Sequence, residues 1–197
     1  MNNVFSNPEH LYSRAEVLSN PCPVVKAHGV YAFFFKDIPP GVPVDGCLTH
    51  EGLTLLYIGS SPDKKGEANA TQTIQQRVRY HFNGNADGST LRRTLGILLA
   101  KKSGFPLKKV GSGKKMTLTS KGEEWLDQWM QENAFVTWVE NDKPWDLENA
   151  QFHALPLPLN IQGNKHHPFA AELTRIRTEA ITNAKYAPVV EDRAPEN

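Results

Sequence analysis

Gly29-Val-Tyr-Ala-Phe-Phe-Phe35 is the stretch that decides the fold. Aromatic and β-branched residues in a run of this length read as a buried strand. Leu53-Thr-Leu-Leu-Tyr-Ile-Gly59 is a second such run, and the two most simply pair as an antiparallel hairpin. The connection between them, Asp37 to Gly52, carries Pro39, Pro40, Gly41, Pro43, Gly46 and Gly52 and reads as a loop. Ala134 to Glu140 alternates, with Phe135, Thr137 and Val139 opposing Val136 and Trp138, and supplies a third central strand.

Helices fill the intervals. Thr71 is the expected N-cap of a helix through about Phe82, whose core stripe is Ile74, Val78 and Phe82 at four-residue spacing. Arg77 and His81 share that spacing and lie on the border of the stripe, beside the sheet. Ser89 or Thr90 caps a second helix through about Ser103, with Leu91, Leu95 and Leu98 inward and Arg92 and Arg93 outward. Leu107–Val110 and Lys115–Leu118 flank Gly111-Ser-Gly113 as a hairpin. Ser120-Lys-Gly-Glu123 matches a capping box for a helix to about Glu132, with Trp125 and Trp129 packed in the core. Pro144 fits the first turn of a further helix that stops at Pro156 or Pro158. An amphipathic helix from about Pro168 to Lys185 precedes a tail expected to fray.

The fold class expected from these elements is α+β, a small three-stranded sheet flanked by helices, with an inserted hairpin-helix and a C-terminal helix. Residues 1–25 read as an N-terminal extension, 26–165 as the main domain with insertions at about 37–52 and 104–132, and 166–197 as the C-terminal helix and tail.

The composition, 197 residues with 39% hydrophobic and 22% charged, is that of a globular protein. No apolar run exceeds about six residues, against the roughly 18 a membrane helix needs, so a helical span is excluded. The first ten residues lack the basic flank and apolar stretch of a secretory signal, and the expected location is the cytoplasm. Cys22 and Cys47 form no C-x-x-C pair, which argues against a cysteine zinc site.

Lys plus Arg number 22 and Asp plus Glu 21, but they are segregated. Gln72 to Lys121 holds eleven basic residues and one acid, a local charge of +10. Gly122 to Asn160 holds eight acids and one base, a local charge of −7. Such segregation is the footprint of a surface that meets phosphates; the other reading is that the two blocks pair with each other. Arg79, Arg92, Arg93, Lys108, Lys109, Lys114 and Lys115 are the candidate phosphate contacts. His153, His166 and His167 lack an ordered set of metal-ligand spacings, and no phosphate-binding glycine loop, nucleophile elbow or dinucleotide fingerprint is present.

Gly29-Val-Tyr31 in the first strand, Tyr57-Ile-Gly59 in the second, Arg77-x-x-x-His81 on the next helix, Glu148, and Asn160 after a proline-rich helix end resemble the GIY-YIG nuclease superfamily, in the family's order. The resemblance covers about Gly29 to Asn160 and extends to Gly84-Asn-Ala-Asp-Gly-Ser-Thr-Leu91 and Val110-Gly-Ser-Gly113, which look similar to stretches of some bacterial members. It implies cleavage of DNA phosphodiesters with one divalent cation, Mg²⁺ or Mn²⁺, on Glu148. It further implies that Tyr31, Tyr57, Arg77, His81, Glu148 and Asn160 form the catalytic set.

Those residue types suit in-line attack on a phosphodiester, which needs an activated water, neutralised charge at phosphorus and a stabilised leaving oxygen. Glu148 is a hard oxygen ligand, and a single carboxylate favours a one-metal site. Arg77 binds a phosphoryl oxygen with its planar fork. Tyr31 and Tyr57 are both candidates to accept the water's proton, and His81 to relay it, since imidazole titrates near neutrality. Asn160 either orients a tyrosine or ties the last loop to the site, and Ser60 either contacts phosphate or makes a turn. Two departures from the family pattern stand out. The half-motif tyrosines are separated by 25 residues, and a hairpin-helix precedes the third strand. The alternative to an endonuclease is a nucleic-acid-binding module that keeps the fold without catalysis; a third reading is an interaction partner whose two charge blocks pair internally.

Overall fold

Seven strands and seven helices follow one another in the computed structural model, which describes residues 3–62 and 71–192. They are β1 (Tyr12–Ser13), α1 (Arg14–Leu18), β2 (Gly29–Phe35), β3 (Thr49–His50), β4 (Leu53–Ser61), α2 (Ile74–Asn83), α3 (Thr90–Leu98), α4 (Ala100–Ser103), β5 (Lys108–Val110), β6 (Lys115–Thr117), α5 (Ser120–Asn133), β7 (Ala134–Glu140), α6 (Pro144–Ala154) and α7 (Ala170–Tyr186). Most of the polar stretch after Ser60, and the last five residues, lie outside the described residues.

The main sheet is antiparallel with strand order β1-β7-β2-β4-β3. The three central strands match the expectation, and the count of three is corrected to five. Each added edge strand is two residues long, too short to show alternation in a sequence. Tyr12 and Ser13 pair with Val136 and Phe135, and Thr49 and His50 pair with Thr54 and Leu53. The end of the long connection is therefore a tight hairpin, turned by Glu51 and Gly52 at φ of 50° and 78°.

β2 is central and every residue in it is buried. Tyr31, Phe33 and Phe35 face a cluster with Val78 and Phe82 of α2, Leu91 and Leu95 of α3, and Trp129 of α5. Val30, Ala32 and Phe34 face a second cluster with Leu55, Ile58 and Phe152. Each fully buried phenylalanine contributes about 1.5–3 kcal/mol by leaving water. The register slips between Phe33 and Phe34, which pair with Tyr57 and Leu55, so Leu56 is the extra residue of a bulge. That bulge sets Leu56 and Tyr57 together on the Tyr31 side of the sheet.

Helix starts depart from the expected caps by one or two residues. Thr73 rather than Thr71 caps α2, because Gln76 completes a capping box: the Gln76 N–H donates to the Thr73 Oγ1 at 3.3 Å and the Thr73 N–H to the Gln76 Oε1 at 2.9 Å. Thr119 caps α5, and the Glu123 carboxylate expected to close a box on Ser120 instead accepts from the Leu118 N–H before the cap, at 3.3 Å. It accepts hydrogen bonds from Thr117 Oγ1, the Ala86 N–H and Arg92.

Arg92 corrects the outward reading of the second helix. Its side chain has no exposure; it forks onto Glu123 Oε2 and Asp127 Oδ1, both at 2.6 Å, and reaches the carbonyls of His81 and Phe82. Arg14 joins the same cluster at 2.8 Å from Asp127 Oδ2. Arg93 is half-buried and donates to the Ala86 and Asp87 carbonyls. α3 packs against both α5 and α7 and has almost no outward face.

The tail does not fray within the described residues. Val190 bridges Val110 of the lysine hairpin, and Asp192 accepts from the N–H and hydroxyl of Ser120 at the start of α5. No helix among the described residues is long and apolar enough to cross a membrane.

Candidate active site

β3 pairs only with the first two residues of β4, which leaves the far end of β4 as a free edge. Asn160 closes part of that edge as a strand would: its Oδ1 accepts from the Ile58 N–H at 2.9 Å and its Nδ2 donates to the Ile58 carbonyl at 2.8 Å. Of the two roles open to Asn160, the bonds are those of a tie between the last loop and the sheet. A cleft of about 590 Å³ opens beside it. Tyr31 from β2, Tyr57 and Ser60 from β4, Arg77 from α2, Glu148 from α6 and Asn160 all line this cleft. The two tyrosines come from one face of the sheet, while Ser60 pairs with Val30 of the other face and donates its Oγ–H to Glu148 Oε2 at 2.9 Å. The site thus wraps around the edge of β4.

Gly59 pairs with Tyr31 across the strands, and a Cβ at Gly59 would overlap the Tyr31 hydroxyl. The glycine is the space in which the Tyr31 ring lies.

His81 does not line the cleft. It is fully buried behind Tyr31, its Nε2 2.8 Å from the Tyr31 Oη and its Nδ1 2.7 Å from the Ser89 Oγ. Ser89 already accepts from the Arg92 N–H as the cap of α3, at 3.1 Å. Its own buried hydroxyl proton then has Nδ1 as its acceptor, which assigns the Nε2–H tautomer to His81. The Nε2–H donates to the Tyr31 Oη, and the Tyr31 hydroxyl is left to donate to Tyr57 at the cleft wall.

Burial, with Arg77 and Arg92 adding repulsion, holds the His81 pKa well below its ordinary range. The expectation that this imidazole titrates near neutrality is corrected: it is neutral because it is enclosed. Burial also raises Tyr31 well above the usual phenol range and Tyr57 to about 12, against which the Arg77 cation pulls both down.

A linkage follows for stability. The folded pKa of His81 lies below its unfolded value of about 6.5, so on acidification the unfolded chain takes up the proton first. The stabilisation is full above about pH 6.5 and is lost below it, by up to about 1.4 kcal/mol per pH unit for one proton. His167, lowered by burial and by His166, adds in the same direction. Urea unfolding at pH 5 to 7 is expected to show this slope in the wild type and a shallower one in His81→Gln; identical slopes would contradict it.

The candidate phosphate contacts separate. Arg92 is withdrawn by its burial, and Arg79 donates to the Val17 carbonyl at 2.9 Å, on the α1 side of α2. Lys114 and Lys115 are exposed and Lys108 and Lys109 half-buried on the β5–β6 hairpin, which packs on α7. Among the described residues no carboxylate lies within ion-pair distance of these four lysines. Sequence reasoning named Gly59 in the second half-motif and Ser89 as a helix cap, but placed neither against the site: Gly59 lies against Tyr31 and Ser89 against His81. Ser89 carried a signal as a helix cap, but its second bond, to a histidine eight positions away, is a tertiary contact.

No curated protein and no solved structure matches this chain. The family model of the GIY-YIG catalytic domain matches residues 29–179, from the first residue of β2 into α7. With this match spanning most of its length, the chain belongs to the GIY-YIG catalytic domain family, a family of nuclease domains.

Proposed function

We propose that the protein is a divalent-cation-dependent DNA endonuclease whose catalytic set is Tyr31, Tyr57, Arg77, Glu148 and, behind Tyr31, His81. The observation that carries this reading is the convergence of Tyr31, Tyr57, Arg77 and Glu148 on one cleft. The donor set fits one hard cation. Glu148 and the Ser60 hydroxyl offer oxygen, and no group of three or more His, Cys, Asp or Glu that could enclose a metal occurs among the described residues. Mg²⁺ favours such open sites, taking one or two carboxylates and leaving its other positions to water and phosphate. When bound by Glu148, Mg²⁺ or Mn²⁺ supplies Lewis acidity toward a phosphate oxygen.

The chain's own groups do the rest. Arg77 holds and neutralises the scissile phosphate with its fork. Tyr57 stays protonated and orients the attacking water by hydrogen bonding. Arg77 on one side and the His81 Nε2–H on the other offset the burial that disfavours the Tyr31 phenolate, which forms by releasing its proton to solvent and then takes the water's proton as the new P–O bond forms and the sugar oxygen leaves opposite, protonated by solvent. His81 thereby acts as a donor that stabilises Tyr31 and not as the acceptor of the proton. Asn160 keeps the cleft wall on β4, and the lysine hairpin is an added surface for the DNA backbone.

The test is a plasmid assay on the purified full chain. Supercoiled DNA is expected to be nicked or cut with Mg²⁺ or Mn²⁺, to survive intact in chelator, and to be cut again when metal is restored. Binding without metal-stimulated cleavage on duplex, single-stranded and branched DNA would contradict the proposal and favour a binding module that keeps only the fold.

A further inference from the structure

Arg177 of α7 lies outside the basic block and outside every motif quoted above. It is half-buried, and it donates Nη1–H to Thr94 Oγ1 at 2.9 Å. Thr94 in turn donates to the Thr90 carbonyl at 2.8 Å, so its hydroxyl is satisfied as both donor and acceptor. A guanidinium has five N–H donors, and this bond uses one. Among the described residues no carboxylate pairs with Arg177; its charged neighbour is Arg93. Desolvation and Arg93 both press its pKa down, and its charge reaches Tyr57. A desolvated cation with no carboxylate of its own, beside a second cation that Asp87 already meets at 3.3 Å, is a costly arrangement. An anionic ligand relieves it.

Thr90 is part of the wall of the cleft, and Thr94 follows one turn later on α3. A helical turn of about 5.4 Å is comparable with the step from one phosphate to the next along a strand. We propose that Arg177, seated on Thr94, binds a non-scissile phosphate of the same strand whose scissile phosphate lies against Arg77. The inference rests on the nuclease reading of the cleft and adds a second phosphate subsite to it. Arg175, two residues away, is the internal control: it is exposed and paired with Glu172 and Glu179 at 2.8 and 3.0 Å.

Binding of a labelled DNA duplex to the full chain is measured by anisotropy in chelator, across a range of salt. Arg177→Ala is expected to weaken binding about tenfold and to reduce the slope of log affinity against log salt by about one. Arg177→Gln, which keeps a donor for Thr94, is expected to do the same with an unchanged melting temperature. Arg177→Lys is expected to keep the slope, and Arg175→Ala to leave both quantities as in the wild type. A wild-type slope in Arg177→Ala and Arg177→Gln would overturn the subsite alone. Absence of binding by the wild-type chain at any salt would overturn both the subsite and the nuclease reading.

Discussion

Replacing Glu148 by alanine is expected to lower metal-stimulated cleavage at least about 10³-fold while the melting temperature stays within a degree or two of the wild type. The two halves of that expectation have separate causes. Glu148 is half-exposed on the cleft side of α6, its carboxylate held by the Ser60 hydroxyl at 2.9 Å, and it belongs to neither apolar cluster. Alanine is also the best helix former, so α6 loses nothing. The function lost is the hard anionic oxygen of the cleft that a cation needs. Steady-state cleavage rates and a thermal melt on the same preparations decide the matter. A Glu148→Ala rate within tenfold of the wild type would contradict the assignment.

Arg92→Ala is expected to do the opposite, destabilising the fold without removing a side chain from the cleft. It leaves Glu123 and Asp127 facing each other in a half-buried site with only Arg14 to compensate, and strips donors from the His81 and Phe82 carbonyls. Breaking a buried pair by removing one partner costs about 3–5 kcal/mol. For a chain of this size that corresponds to a fall of about 10 °C in melting temperature. Lysine is not expected to rescue the loss, because one ammonium cannot fork onto two carboxylates and two carbonyls. Urea unfolding measures the effect directly, and a cost below about 1 kcal/mol would contradict it.

These two residues also show what a sequence can and cannot convey. The three central strands were legible because β2, β4 and β7 each carry seven or more residues of one patterned kind. Tyr31, Tyr57, Arg77 and Glu148 were legible because their order along the chain is that of a known motif, and the strand register then brings the first two together. Arg92 was not legible. Periodicity identifies one apolar stripe, Leu91 and Leu95, and leaves the rest of α3 as an outer face; α5 covers it at Arg92 and α7 at Thr94. The charge count was misleading for the same reason. Arg92 belongs to an ion cluster with acids from the −7 block, so the two blocks do pair there, while the lysine hairpin keeps its charge free of carboxylates among the described residues. Arg177 lay in neither block, and the packing of α7 on α3 seats it on Thr94, where its charge reaches Tyr57.

Ser89 illustrates a subtler limit. As a cap it was readable from local sequence, yet its influence on Tyr31 passes through the tautomer of a histidine that it meets only in the folded chain. The tyrosine that carries the proposed chemistry is therefore oriented by a helix start 58 positions away in sequence.

The central claim is that one cleft holds both the cation and the scissile phosphate. Crystals of the protein with Mn²⁺ and a non-cleavable DNA duplex test it most directly, through the anomalous signal of the metal. The expected result is a single Mn²⁺ peak on the Glu148 carboxylate, with a backbone phosphate between it and Arg77 and the Tyr31 hydroxyl facing that phosphate. Mn²⁺ bound elsewhere, at the stacked His153 and His166 for instance, or DNA lying along a face that leaves Glu148 and Arg77 uncovered, would contradict it.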